Sequence, residues 1–109
     1  FVSYVGNFVN IFEDKICKYT KSKYSIATSS GTAALHLALN YYKIDEYCEV
    51  LLPSFTYVAT ANAIKYCNSN PNFVDIETES LGVCPKKLES YLKKIGIRKG
   101  KKLINNNTG

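Results

Sequence analysis

Two short stretches carry side chains whose types and spacing could do chemistry. The first is Ser29-Ser30-Gly31-Thr32-Ala33-Ala34, a hydroxyl-rich turn that leads into a run of alanine and leucine. A helix starting there exposes unpaired backbone N–H groups and about half a positive charge, so the turn could hold a phosphate through N–H and hydroxyl donors. The same serines and threonine equally suit a plain N-cap with no ligand. Neither the Gly-Lys-Ser/Thr of a P-loop nor a Gly-x-Gly-x-x-Gly turn occurs. The second stretch is Pro53-Ser54-Phe55-Thr56-Tyr57, which sets two aromatics beside two hydroxyls. An aromatic at such a turn could stack on a planar ring, a contact worth on the order of 1 kcal/mol beyond burial. Packing into the core is the alternative for Phe55 and Tyr57 taken singly. A phosphate cradle together with a stacking platform points to a flat, phosphorylated cofactor.

Other candidates carry less. Cys17, Cys48, Cys67 and Cys84 are too widely and evenly spread for a zinc knuckle or a redox pair, and are expected as buried free thiols. Residues 86–102 hold Lys86, Lys87, Lys93, Lys94, Arg98, Lys99, Lys101 and Lys102 against Glu89 alone, whereas the rest of the chain is slightly acidic; the net charge is +5. With no aromatics interleaved as a stacking platform, this run reads as a solvated helix face and loop, and no nucleic-acid binding is expected. His36, one turn after Thr32, is expected to pack, and Asp75 to serve a strand end.

The elements that must position these residues follow from periodicity. Val5, Phe8, Val9, Phe12, Ile16 and Tyr19 recur at three- and four-residue intervals, which predicts an amphipathic helix with one face on a core. Tyr24-Ser25-Ile26-Ala27-Thr28 reads as a short strand. Residues 32–42 form a nearly uncharged Ala/Leu helix, expected to be covered on most sides. Residues 49–53 read as a strand ended by proline, 57–66 as a helix, 71–75 as a strand, and a further helix starts near Pro85. This β-α-β-α-β order implies parallel strands joined by crossover helices, with ligands beyond the strands' carboxyl ends. At 109 residues, 46% apolar and 13% aromatic, the chain is not a disordered one. No apolar run approaches the roughly 20 residues of a membrane span and no secretory leader opens the sequence, so a cytoplasmic location is expected.

Several motifs in order resemble one family. Val5-Gly6-Asn7-Phe8-Val9 through Phe12-Glu13, then residues 27–39 (Ala-Thr-Ser-Ser-Gly-Thr-Ala-Ala-Leu-His-Leu-Ala-Leu), residues 49–64 and Phe73-Val74-Asp75-Ile76 resemble the DegT/StrS family, across about residues 5 to 92. These are aminotransferases of nucleotide-linked sugars that depend on pyridoxal 5'-phosphate (PLP). The resemblance implies an α/β fold, part of the large domain of a fold-type-I PLP-dependent transferase, mainly parallel sheet with crossover helices. Residues 1–109 are then an incomplete amino-terminal portion of that domain. It implies amino transfer, usually from glutamate, to a nucleotide-linked keto-sugar, in surface polysaccharide or nonulosonic acid biosynthesis, by a homodimer. Gly31, Thr32 and Ala33 match the positions that bind the cofactor phosphate, and Tyr57 matches the aromatic stacked on the pyridine ring. The Schiff-base lysine and the aspartate on the pyridinium nitrogen are expected downstream of these residues, and relatives with histidine in place of that lysine dehydrate sugars instead. Residues 103–109 resemble an insertion found in a branch aminating UDP-linked 4-keto-6-deoxy sugars. A module without catalysis, using the same turns to bind an anion, is the rival from another class.

Overall fold

A computed structural model describes residues 6–109. In chain order it contains α1 (Asn7–Thr20), α2 (Gly31–Tyr41), β1 (Glu49–Pro53), α3 (Val58–Tyr66), β2 (Asn70–Val74), α4 (Pro85–Ile95), β3 (Gly96–Lys99) and β4 (Lys102–Asn105). Val5, placed by periodicity in the first helix, lies outside the described residues.

The centre is a β1-α3-β2 unit. β1 and β2 pair in parallel from Glu49↔Asn70 to Pro53↔Val74, as the short apolar runs and the intervening Ala-rich helix predict. α3 packs on both strands, and of the buried apolar residues, Leu52, Ala63, Ile64, Cys67 and Val74 come from these three elements or their caps, Ile95 at the end of α4 being the exception among the described residues. Burying a side chain such as Leu52 or Ile64 is worth about 1.5–3 kcal/mol, so most of the cohesion of the chain is concentrated here. Ser69, fully buried between α3 and β2, is satisfied by donating its hydroxyl to the Cys48 carbonyl at 2.6 Å. α2 lies alongside α3.

The structure departs from the sequence expectations at four points. Residues 24–28 are extended but pair with no strand; Ala27 N–H instead donates to the Glu13 carboxylate at 2.7 Å, which ties the segment to α1. Extended propensity becomes a strand only beside a neighbour, and none of the described strands pairs with this segment. α1 and α2 have no buried residue: Phe8 is 87% exposed, and Phe12, Leu35 and Leu37 are also exposed. The radius of gyration, 17.3 Å, exceeds the roughly 13 Å of a compact domain this size, in keeping with apolar faces that residues 6–109 do not close over. Among the cysteines only Cys67 is buried; Cys17, Cys48 and Cys84 are half-buried. Finally, the lysine-rich end is no loop.

That end is an antiparallel hairpin, with β3 and β4 paired from Gly96↔Asn105 to Lys99↔Lys102. Gly100, with φ 62°, opens the two-residue turn that the right-handed strand twist favours. α4 starts with Pro85 in its first turn and runs into β3 without a connecting residue. The junction is Gly96, where a Cβ would meet the Leu92 carbonyl oxygen at 2.6 Å and Leu103 Cδ1 at 2.8 Å. No helix among the described residues is long and apolar enough to cross a membrane.

Candidate functional site

The first corner is the start of α2. Ser30, in extended backbone, accepts a hydrogen bond from Ala33 N–H at 3.2 Å, and its carbonyl receives Ala34 N–H at 3.0 Å. Gly31, Thr32 and Ala33 are therefore the first three helical residues, with the N-cap that Ser30 was fitted to supply. The cap uses one orphan donor and leaves the N–H groups of Gly31 and Thr32 and the Thr32 hydroxyl at the positive end of the helix. No acidic residue stands in that turn, and a Cβ on Gly31 would meet nothing within 4 Å, so there is room for a small anion. The N-cap reading and the phosphate reading are compatible, because they draw on different donors.

The second corner follows β1. Ser54 N–H donates to the Val74 carbonyl at 3.0 Å, extending the ladder one step past Pro53, which has no N–H to give. The chain then turns through Phe55 and Thr56 to Tyr57, the N-cap residue of α3. Thr56 and Thr60 hydroxyls lie 3.1 Å apart across the first turn. Phe55 is 63% and Tyr57 79% exposed among the described residues, so neither packs against the β1-α3-β2 core. Residues with open N–H donors on one helix and an uncommitted flat ring at the start of its neighbour suit a phosphorylated planar cofactor.

A third corner lies beside the second. At the end of β2, Asp75 accepts from Ile76 N–H at 2.9 Å and from Lys87 Nζ at 2.6 Å. The Lys87 ammonium and the Ile76 amide hold the Asp75 carboxyl below its usual range, and Asp75 in turn holds Lys87 above its own. Both side chains are more than half exposed, so this is a surface pair. His36 lies edge-on to Tyr66, ring centroids 5.7 Å apart, and serves the α2–α3 contact.

The structure unites Gly31, Thr32 and Ala33 in one turn; no hydrogen bond joins Tyr57 to that turn among the described residues. Two cavities, of about 840 and about 140 Å³, lie at the opposite, amino-terminal end of β1 and include neither corner. There Glu49 accepts from Asn72 Nδ2 at 2.9 Å, Asn105 Nδ2 at 2.9 Å and Thr108 Oγ1 at 2.6 Å, and the Tyr91 hydroxyl donates to Asn72 Oδ1 at 2.9 Å. The Asn105 and Thr108 donors, aided by Asn72 and opposed by burial, push the Glu49 carboxyl below its ordinary value of 4.5. No linear motif announces this cluster, since its partners stand 23, 56 and 59 residues from Glu49.

The DegT/DnrJ/EryC1/StrS aminotransferase family model matches residues 1–98. The chain belongs to that family. Among its relatives, GDP-perosamine synthase of Escherichia coli O157:H7 is 43% identical over 79 residues, 72% of this chain and 22% of that protein. Among solved structures, a DegT/DnrJ/EryC1/StrS aminotransferase from Brucella abortus superposes with a TM-score of 0.77 at 32% identity, over 83% of this chain and 24% of its own. A sugar aminotransferase from Streptococcus pneumoniae, solved in PLP, PMP and apo forms, gives 0.75 at 28% identity, over 79% of this chain and 22% of its own. The chain thus spans about a fifth of the length of the relatives it matches. The parallel β1-α3-β2 unit is the DegT-family feature at the centre of the described fold.

Proposed function

We propose that the protein carrying this sequence is a PLP-dependent aminotransferase of a nucleotide-linked keto-sugar, with glutamate as amino donor. The observation that carries the reading is the pair of turns, one opening α2 and one between β1 and α3, whose polar and aromatic groups are uncommitted among the described residues of a chain of the DegT family. In this reading the N–H groups of Gly31 and Thr32 and the Thr32 hydroxyl take the cofactor phosphate, while Ala33, with its N–H already held by Ser30, keeps the turn small enough for close approach. Tyr57 lies on the cofactor ring, where its exposed face is available. When bound, the cofactor supplies an electron sink for the carbon that loses its proton. This chain's residues bind and orient that group. Proton transfer, the lysine attachment and much of the sugar pocket are assigned to residues outside the sequence described here, with a second subunit completing the site.

The relatives named GDP-perosamine synthase favour a nucleotide-diphosphate sugar, and we take surface polysaccharide or nonulosonic acid biosynthesis as its destination. The deciding measurement is absorbance of the full chain that carries this sequence, titrated with PLP. A long-wavelength band abolished by borohydride is the expected result. Cofactor retained without that band would redirect the reading to the sugar-dehydrating branch, and no cofactor binding at all would leave a plain anion-binding module.

A further inference from the structure

We propose that Glu49 is the tether of a strap: among the described residues its carboxylate takes both hydrogen bonds that fasten residues 102–109 to the parallel sheet, and this segment opens and closes on that fastening. Within residues 6–109, the hydrogen bonds that join this segment to the sheet are Asn105 Nδ2 and Thr108 Oγ1 to Glu49, both ending on one side chain. The segment's other hydrogen bonds are local to the strap or to α4, such as Asn106 N–H to the Ile95 carbonyl at 2.8 Å and Gly109 N–H to the Asn105 carbonyl at 2.9 Å. Apolar packing is modest: Leu103 is about half exposed and leans on Gly96 of the same hairpin, and Ile104 is half-buried. α4, by contrast, is held to the sheet independently, by Tyr91 on Asn72, Lys87 on Asp75 and Cys84 N–H on the Asp75 carbonyl. Opening the strap therefore means releasing Glu49 and the Asn106 N–H bond to Ile95 while α4 stays in place.

What the strap covers is the cavity of about 840 Å³, walled by Leu51 and Asn72 of the sheet, Leu92 and Ile95 of α4, and Leu103 and Asn105 of β4. Two carboxylate oxygens shared among three donors make the closed position a charge-assisted one, stronger than neutral pairs of the same number. Segments held by few polar contacts and little buried area form the low-stability end of a fold, where local opening occurs without global unfolding.

The experiment is hydrogen exchange on the full chain that carries this sequence, comparing wild type with Glu49→Gln and with the double variant Asn105→Ala, Thr108→Ala, which leaves β1 untouched. The double variant should speed exchange of the amides of residues 102–109 roughly tenfold or more, as expected for losing hydrogen bonds to a charged group, while those of Leu52 and Val74 keep their rates. Glu49→Gln, which keeps an acceptor oxygen but not the charge, should fall between. Unchanged rates across 102–109 in both variants would overturn the strap. So would a uniform acceleration that includes β1 and β2, since the cluster would then be ordinary structural support. None of these outcomes depends on whether cofactor binds at the opposite end of the strands.

Discussion

The two ends of the β1–β2 pair use their polar groups in opposite ways. At the amino end, Glu49 spends its lone pairs on Asn72, Asn105 and Thr108, and Tyr91 satisfies Asn72. At the carboxyl end of β1 the ring of Tyr57 is exposed, and at the start of α2 the N–H groups of Gly31 and Thr32 are left over after the Ser30 cap has taken what it needs. A polar group with internal partners holds a fold together; one kept at a helix start with no acid nearby is available to a ligand. The larger cavity thus lies at the end whose polar groups are internally paired, and its lining includes neither of the two turns we propose to bind the cofactor.

Substitutions can sharpen this contrast, beginning with the core that separates the ends. Ile64→Ala should cost about 2–5 kcal/mol of stability through lost burial and the hole left behind, read by denaturant unfolding of the full chain. An undiminished midpoint would show that α3 does not hold the sheet as described. Thr32→Val should weaken PLP binding by about 1.5–3 kcal/mol, the value of a hydrogen bond to a charged group, with little change in stability. Equal affinity in a direct titration would remove the hydroxyl from the site. Tyr57→Ala should cost affinity about 0.5–1.5 kcal/mol and leave the melting temperature in place, because the ring is exposed. A variant that loses stability and keeps affinity would move Tyr57 to the structural side of the comparison.

The amino end has its own signature in pH. The folded-state value of Glu49 lies below the ordinary 4.5, so its contribution is fully present above about that pH and is lost as pH falls through the depressed value. Lys43, Asp45 and Lys102 line the same cavity and share that environment. The protection factors of residues 102–109, corrected for the intrinsic pH dependence of amide exchange, should therefore be flat above about pH 4.5 and fall in acid, and Glu49→Gln should abolish that fall. The smallest effect belongs to Asp75→Asn. Its pair with Lys87 is exposed and screened, so the melting temperature should not move measurably in moderate salt. A clear drop would mean the pair anchors α4 more firmly than a surface contact can.

How much of this could be read from the chain depends on the range of the signal. β1, α3 and β2 were legible because each is set by neighbours in sequence: an apolar run stopped by Pro53, an alanine-rich period, and a second apolar run. Pro85 marked the start of α4 for the same reason. The extended stretch 24–28 was misread because strand formation needs a partner that propensity cannot supply. The hairpin was hidden by its lysines, although Ile97 and the Leu103-Ile104 pair flanking Gly100 carried the pattern. Both corners were visible as chemistry before they were visible as structure, since hydroxyls and glycine at a strand-to-helix turn say what they can donate. The Glu49 cluster was out of reach, because its members meet only after the whole chain has folded around them.

Gly96 sets the direction of everything after α4. An alanine there would press on a carbonyl of the last helical turn and on the leucine across the ribbon at the same time. The helix is tied to Asp75 at its other end, so the strain of an added methyl group falls on the joint and on the ribbon beyond it, with its crown of positive charge. One absent methyl group thus aims four cations, Arg98, Lys99, Lys101 and Lys102, and any larger residue at that joint would point them elsewhere.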